Sequence, residues 1–233
     1  MARNAPTNGP LQGKLVNKPE SLTDRAYREL EEMIVTLQLE PGAVLSETAL
    51  AGHLVIGRTP IREALQRLAR EGLVTILPRK GILVSEINPQ KQLLLLEVRR
   101  EVERMLARAS AVRRSNQERQ QFTEIADGME KAARENDDIS FMRFDEALNS
   151  LVAVAARNEY ADRAIGLMHG LSRRFWYVHY KEAADMPLCA RLHAELARRI
   201  ADSDPDGAAR ACDRLIDYVE TFTRATVNTG SQI

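Results

Sequence analysis

The sharpest chemistry in this sequence sits at the start of one amphipathic segment. Arg58, Thr59 and Arg62 precede or flank an apolar stripe of Ile61, Ala64, Leu65, Leu68 and Ala69. A helix there would gather the three polar residues at its N-terminal end, opposite the stripe. Arginine pairs bidentately with guanine O6 and N7, while threonine bonds a phosphate or touches a thymine methyl. Thr59 before Pro60 reads as an N-cap hydroxyl followed by proline at the first helical position. The free N–H groups of that first turn add a phosphate site. Further on, Arg79, Lys80 and Gly81 make a basic turn suited to a DNA backbone or minor groove. From Ser46 to Lys80 six bases face three acids, although Arg67 and Arg70 also read as an ordinary solvated helix face.

Other chemistries find less support. There is no Ser-His-Asp set, paired metal motif or glycine-rich phosphate loop. Cys189 and Cys212 lie on separate apolar patterns without metal-type spacing, which reads as reduced core thiols in a cytoplasm. No apolar run approaches the roughly 20 residues that span a bilayer, so no membrane partner is expected. The N-terminal residues 1–20 carry no hydrophobic h-region and read as a mobile arm. Arg173-Arg174-Phe175-Trp176-Tyr177 could line a pocket or pack in a core.

The elements that must hold these residues follow from periodicity. The chain has 233 residues, 44% hydrophobic and only 5% aromatic, with no formal net charge. Its balance favours helix over sheet and places the charge signal locally rather than globally. A first helix spans about Ser21 to Gln38, with Tyr27, Leu30, Ile34 and Leu37 on one face. Pro41-Gly42 breaks it. Ser46 caps a short second helix (Ala49, Leu50, Leu54 and in part His53 apolar), Gly57 supplies a turn, and Gly72 ends the third helix. Residues 73–77 and 81–85 then alternate as two strands around Pro78-Arg79-Lys80-Gly81, a β-hairpin. Three helices and a basic-tipped hairpin predict a winged helix-turn-helix over 21–88. Asn88-Pro89 marks the boundary. Six further helices are expected at about 90–114, 117–136, 138–156, 160–182, 187–202 and 205–226. They form an all-α bundle over 89–228 before a tail at 229–233. The fold class is therefore mainly α, a winged helix-turn-helix followed by an all-helical bundle.

The residues Leu39-Glu40-Pro41-Gly42, Leu45-Ser46-Glu47, Gly57 through Leu65, and Leu68 through Val74 resemble the GntR family of bacterial regulators. The helical remainder is similar to its FadR-like branch with an FCD ligand-binding domain. The resemblance implies a homodimer on a short palindromic double-stranded operator, modulated by a small metabolite, and no enzyme. It assigns DNA contacts to Arg58, Thr59 and Arg62 and the wing glycine to Gly81. Gly57 departs from the family's serine or threonine and loses a phosphate contact. Thr48 stands where a longer polar residue is usual, so its contact would be shorter.

FCD-type bundles hold a divalent metal on an Asp-x-x-x-His pair and two later histidines. Carried over, the positions are Asp145, Asn149, His193 and Leu215. Only Asp145 and His193 keep ligand types, so a tightly bound metal is disfavoured and no cofactor is required. Arg99, with Glu103 as its partner position, would bind the carboxylate of an organic acid, with Asn149 and His193 supplying hydrogen bonds. Two plainer readings stand beside these: His193 as a satisfied core or surface histidine, and Arg99 as a surface residue beside Arg100. Three functions compete: a ligand-responsive regulator, a ligand-blind DNA-binding protein whose bundle only dimerises, and a metal-dependent hydrolase using Asp145 and His193. The first leads.

Overall fold

The computed structural model describes residues 20–230, apart from the side chains of residues 182, 183 and 227–230. The expected arm lies outside them except for Glu20, as does the end of the expected tail, 231–233. The order is α1 (Leu22–Val35), β1 (Val44–Leu45), α2 (Glu47–Leu54), α3 (Arg58–Arg70), β2 (Val74–Leu77), β3 (Gly81–Val84) and then six helices. Those are α4 (Pro89–Arg113), α5 (Asn116–Glu135), α6 (Asp138–Ala155), α7 (Glu159–Ala183), α8 (Met186–Ala201) and α9 (Pro205–Gly230). The last helix continues past the expected bundle end at 228.

The first unit closes around Leu30, Ile34, Leu50, Leu54, Ile61, Leu65, Leu68 and Leu73. Those from α1 and α3 lie on apolar stripes, which dictate the faces that meet, while Leu73 follows α3 in the turn before β2. α1 stops earlier than its periodicity suggests: Thr36 caps it, and Leu37 turns left-handed at φ 60°. In α2 Ser46 accepts from the Ala49 N–H as cap, and Leu50 and Leu54 are buried, but Ala49 and His53 face solvent.

The turn between α2 and α3 corrects an expectation. Val55, not Gly57, takes the left-handed conformation, at φ 54°, whereas Gly57 is extended. A β-branched residue rarely sits there, and this one is almost wholly exposed. Gly57 is also the N-cap of α3, so the helix opens at Arg58 and Thr59 lies inside its first turn rather than capping it.

β3 lies between β1 and β2 in an antiparallel sheet. The two-residue β1 is too short to carry any alternation, so the sequence did not reveal it. At the hairpin both Arg79 (φ 62°) and Gly81 (φ 105°) are left-handed. A Cβ on Gly81 would come within 3.3 Å of the Leu45 carbonyl oxygen and 3.2 Å of Val44. Glycine is required because β1 passes so close.

The bundle core gathers Phe122, Met129, Leu148, Ala194, Ile200 and Ile216 from α5, α6, α8 and α9. α4 packs along α9 and also meets α6, α7 and α8. Asn88 caps it with Pro89 in its first turn, as sequence composition anticipates. α7 joins the two units. Its Leu171 packs on the winged-helix core, and Arg174, buried, donates to the carbonyl oxygens of Ser85 (2.8 Å) and Glu86 (3.3 Å) in the linker.

Candidate nucleic-acid interface and effector site

On the winged unit a groove runs between α3 and the hairpin, lined by Thr48, Arg58, Arg62, Arg79, Lys80 and Gly81 among others. Thr59 stands exposed beside it. No side chain caps α3, which leaves the first-turn N–H groups of Arg58 and Thr59 open to an anion. Glu47, at the start of α2, was not singled out from sequence. It takes the Arg62 guanidinium through Nε (3.0 and 3.2 Å) and Nη2 (2.8 Å), with Arg58 Nη2 at 4.0 Å. The hydrogen bond from Arg62 holds the Glu47 carboxyl below its usual range. Glu47 thus pre-orients both arginines, on side chains still 56% and 63% exposed. So exposed an ion pair exchanges readily for phosphate or base. Arg67 does something else. Its guanidinium stacks 3.5 Å over the Tyr27 ring and donates to buried Glu71, fastening α3 to α1.

The bundle holds a second site. Arg99, Asp145, Asn149 and His193 line one cavity of about 60 Å³, together with His169, Arg173 and Trp176, which are contributed by α7. This is far smaller than the roughly 300–1,000 Å³ of drug-sized sites and fits a ligand of few heavy atoms. Arg99 is only 11% exposed and donates from Nε to Glu103 at 2.5 Å. Arg100, its neighbour, turns the other way and pairs with Asp217 and Glu220 on α9. His193 meets acceptors at both ring nitrogens: the Cys189 carbonyl oxygen at 2.8 Å from Nδ1 and Asp145 Oδ1 at 3.0 Å from Nε2. Two acceptors require two N–H groups, hence an imidazolium. Burial alone would lower the His193 pKa, but its partners raise it well above the usual value. The carboxylate is the operative partner, because burial pushes the Cys189 thiol up and keeps it uncharged. Burial raises the Asp145 pKa in turn, but the hydrogen bond and charge of His193, with Arg173 nearby, together outweigh it and leave the pKa low. His169 is held down by burial and stays neutral.

This arrangement does not fit a divalent cation. Asp145 Oδ1 already receives His193 and the Asn149 amide (3.2 Å). Leu215 contributes a methyl-lined wall to the adjoining cavity. Among the described residues no three His, Cys, Asp or Glu side chains are grouped to hold a metal. The two cysteines are free and buried.

Residues 22–84 match the bacterial regulatory proteins of the gntR family, and residues 94–218 match the FCD domain. The chain belongs to the GntR family, with an FCD domain. It is therefore a DNA-binding transcriptional regulator and not an enzyme. Over 173 residues, 68% of this chain and 72% of the relative, it is 32% identical to an HTH-type transcriptional regulator in an unstable DNA locus of Streptomyces ambofaciens. It is 22% identical to the HTH-type transcriptional repressor RspR of Escherichia coli strain K12, across 90% of this chain and 92% of that one. Among solved structures, E. coli McbR/YncC superposes with a TM-score of 0.74 at 17% identity, covering 89% of this chain and 99% of the other. That likeness is one of fold. Among the described residues no helix is long and apolar enough to cross a membrane.

Sequence reasoning placed Arg99, Asp145, Asn149 and His193 together through the family pattern, and the cavity does hold all four. It missed Glu47 and His169, and it left Arg173 and Trp176 open between pocket and core, where the structure puts both in the cavity lining. The helical spacing of Arg173 and Trp176, i and i+3, put them on one face, but nothing in the sequence said which element that face meets.

Proposed function

We propose that this regulator works as a cytoplasmic homodimer on a palindromic operator and that a small organic acid bound in the FCD cavity tunes its affinity. The observation that carries the DNA-reading part is the groove between α3 and the wing, with Arg58 and Arg62 exposed on the helix and Arg79 and Lys80 exposed on the hairpin. Arg58 and Arg62 read bases, Thr59 and Thr48 contact phosphate, and Arg79, Lys80 and the Gly81 turn follow the backbone or minor groove. Arg62→Ala should weaken binding of a footprinted operator about tenfold and relax selectivity at one base pair. An unchanged footprint and affinity sinks this docking mode.

The effector reading rests on Arg99, a buried guanidinium facing a small cavity with neutral His169 and Asn149 beside it. It needs no resident metal, since the Asp145–His193 pair supplies internally the charge balance that a cation would otherwise provide. A thermal-shift titration with small carboxylic acids tests it: Arg99→Ala should abolish the stabilisation. A dimer is supported by α4, which is apolar on two sides. One side is buried in the bundle, and the other exposes Leu94, Val98, Met105 and Val112 along a single stripe. Val98→Glu should convert the species seen by light scattering to monomer, and an unchanged mass places the interface elsewhere.

A further inference from the structure

Two donors in the effector cavity have no protein partner. Arg173 Nε and Trp176 Nε1 are both buried without a hydrogen bond, and both residues line the cavity with Arg99. Neither an indole N–H nor a guanidinium N–H can accept, so what satisfies them must bring lone pairs. Buried donors are rarely left unpaired, and such exceptions mark bound groups.

The other nitrogens of Arg173 point out of the bundle. Nη1 donates to Glu31 of α1 at 3.3 Å, and Nη2 lies 3.8 Å from Glu146 of α6. Arg173 and Glu31 are 21% and 14% exposed, so their pairing is little screened by water. The same stretch of α7 makes a close seam with the winged unit. A Cβ on Gly170 would fall 2.7 Å from Leu73 and 3.2 Å from Glu31 Oε1. One guanidinium thus belongs both to the ligand cavity and to the joint between sensor and reader.

We propose that Arg173 Nε and Trp176 Nε1 form a second acid-binding subsite opposite Arg99, that the effector is a small dicarboxylic acid, and that its second carboxylate competes with Glu31 for Arg173. The inference rests on the organic-acid reading of the cavity. The two unpartnered donors, additional to Arg99, support two acid groups rather than one. Asp145 and His193 neutralise each other, so the cations left to meet an acid are Arg99, which is paired with Glu103, and Arg173, which is held from outside the cavity by Glu31 and Glu146. Binding draws Arg173 towards the ligand and weakens its hold on α1. The position of the winged unit is then linked to occupancy, because the ligand and Glu31 bind the same group.

The test is calorimetric titration of the full chain with acetate, malonate and succinate. At least one dicarboxylate should bind about tenfold tighter than acetate, the difference one charge-assisted hydrogen-bonded group makes. Trp176→Phe keeps the ring and removes the N–H. It should erase most of that preference, weakening dicarboxylate binding far more than acetate binding. Glu31→Gln, which weakens the competing partner of Arg173, should tighten dicarboxylate binding severalfold and leave operator affinity insensitive to the ligand. If acetate binds and Arg99→Ala abolishes it, but neither Trp176→Phe nor Arg173→Lys alters the dicarboxylate preference, the second subsite is wrong and the organic-acid reading survives. If none of the three acids binds, both fall.

Discussion

The two arginine sites of this protein are built on opposite terms. In the reading groove Arg58 and Arg62 share one carboxylate, Glu47, on side chains more than half exposed. In the bundle Arg99 and Glu103 form a pair of which little more than a tenth is exposed, beside an equally buried His193–Asp145 pair. Water screens the first set, so its bonds break cheaply and the charges are available to a polyanion. The second set is desolvated. Its members cannot be released singly without leaving a charge buried and unpaired. Exposure thus suits a site that must exchange partners over a large surface. Burial suits one that must recognise a few atoms and hold still until they arrive.

The largest expected effect tests the buried side of that contrast. Asp145→Ala strands an imidazolium and should cost about 3–5 kcal/mol of unfolding free energy in urea titrations. A loss comparable to that of an exposed pair would erase the distinction. On the exposed side, Arg62→Ala should weaken operator binding about tenfold while leaving the urea midpoint unchanged. Measuring both quantities on both variants is the most direct way to break the comparison.

A pH series sharpens it. The His193 pKa is raised on folding, so its stabilising contribution is complete below the unfolded value near 6.5 and is lost as pH rises through the folded value. The Asp145 pKa is lowered, so its contribution is present above about 3.9 and is lost as pH falls through the folded value. The pair should therefore stabilise fully between about pH 4 and 6.5. The stability gap between wild type and a His193→Asn, Asp145→Asn double variant should narrow on either side. A gap flat from pH 3 to 9 would show that the pair is not ionised. The smallest effect belongs to the wing: Lys80→Ala should weaken binding to all DNA sequences alike and lower the salt-dependence slope by about one.

Much of this organisation was legible in the sequence, for identifiable reasons. The stripe from Ile61 to Leu68, the cap at Ser46 and the boundary at Asn88-Pro89 put helices close to where they fall, because local periodicity and end chemistry need no tertiary information. Two local signals misled. Thr59-Pro60 imitated a cap and first position, while α3 in fact begins at Arg58 behind Gly57. Gly57 offered the conformational freedom for a turn that Val55 actually makes, packing on either side having fixed the chain there.

By itself the sequence determined a mainly helical chain, a basic-winged DNA reader at its N-terminal end, and the identity of the polar residues available to it. These follow from residue type and spacing along single elements. Only the tertiary structure decided that Glu47 aims Arg62 across fifteen residues, that His193 is charged by Asp145 from another helix, and that Arg173 reaches both the cavity and Glu31. Each depends on the distance and desolvation between groups remote along the chain, and those quantities exist only once the helices have packed.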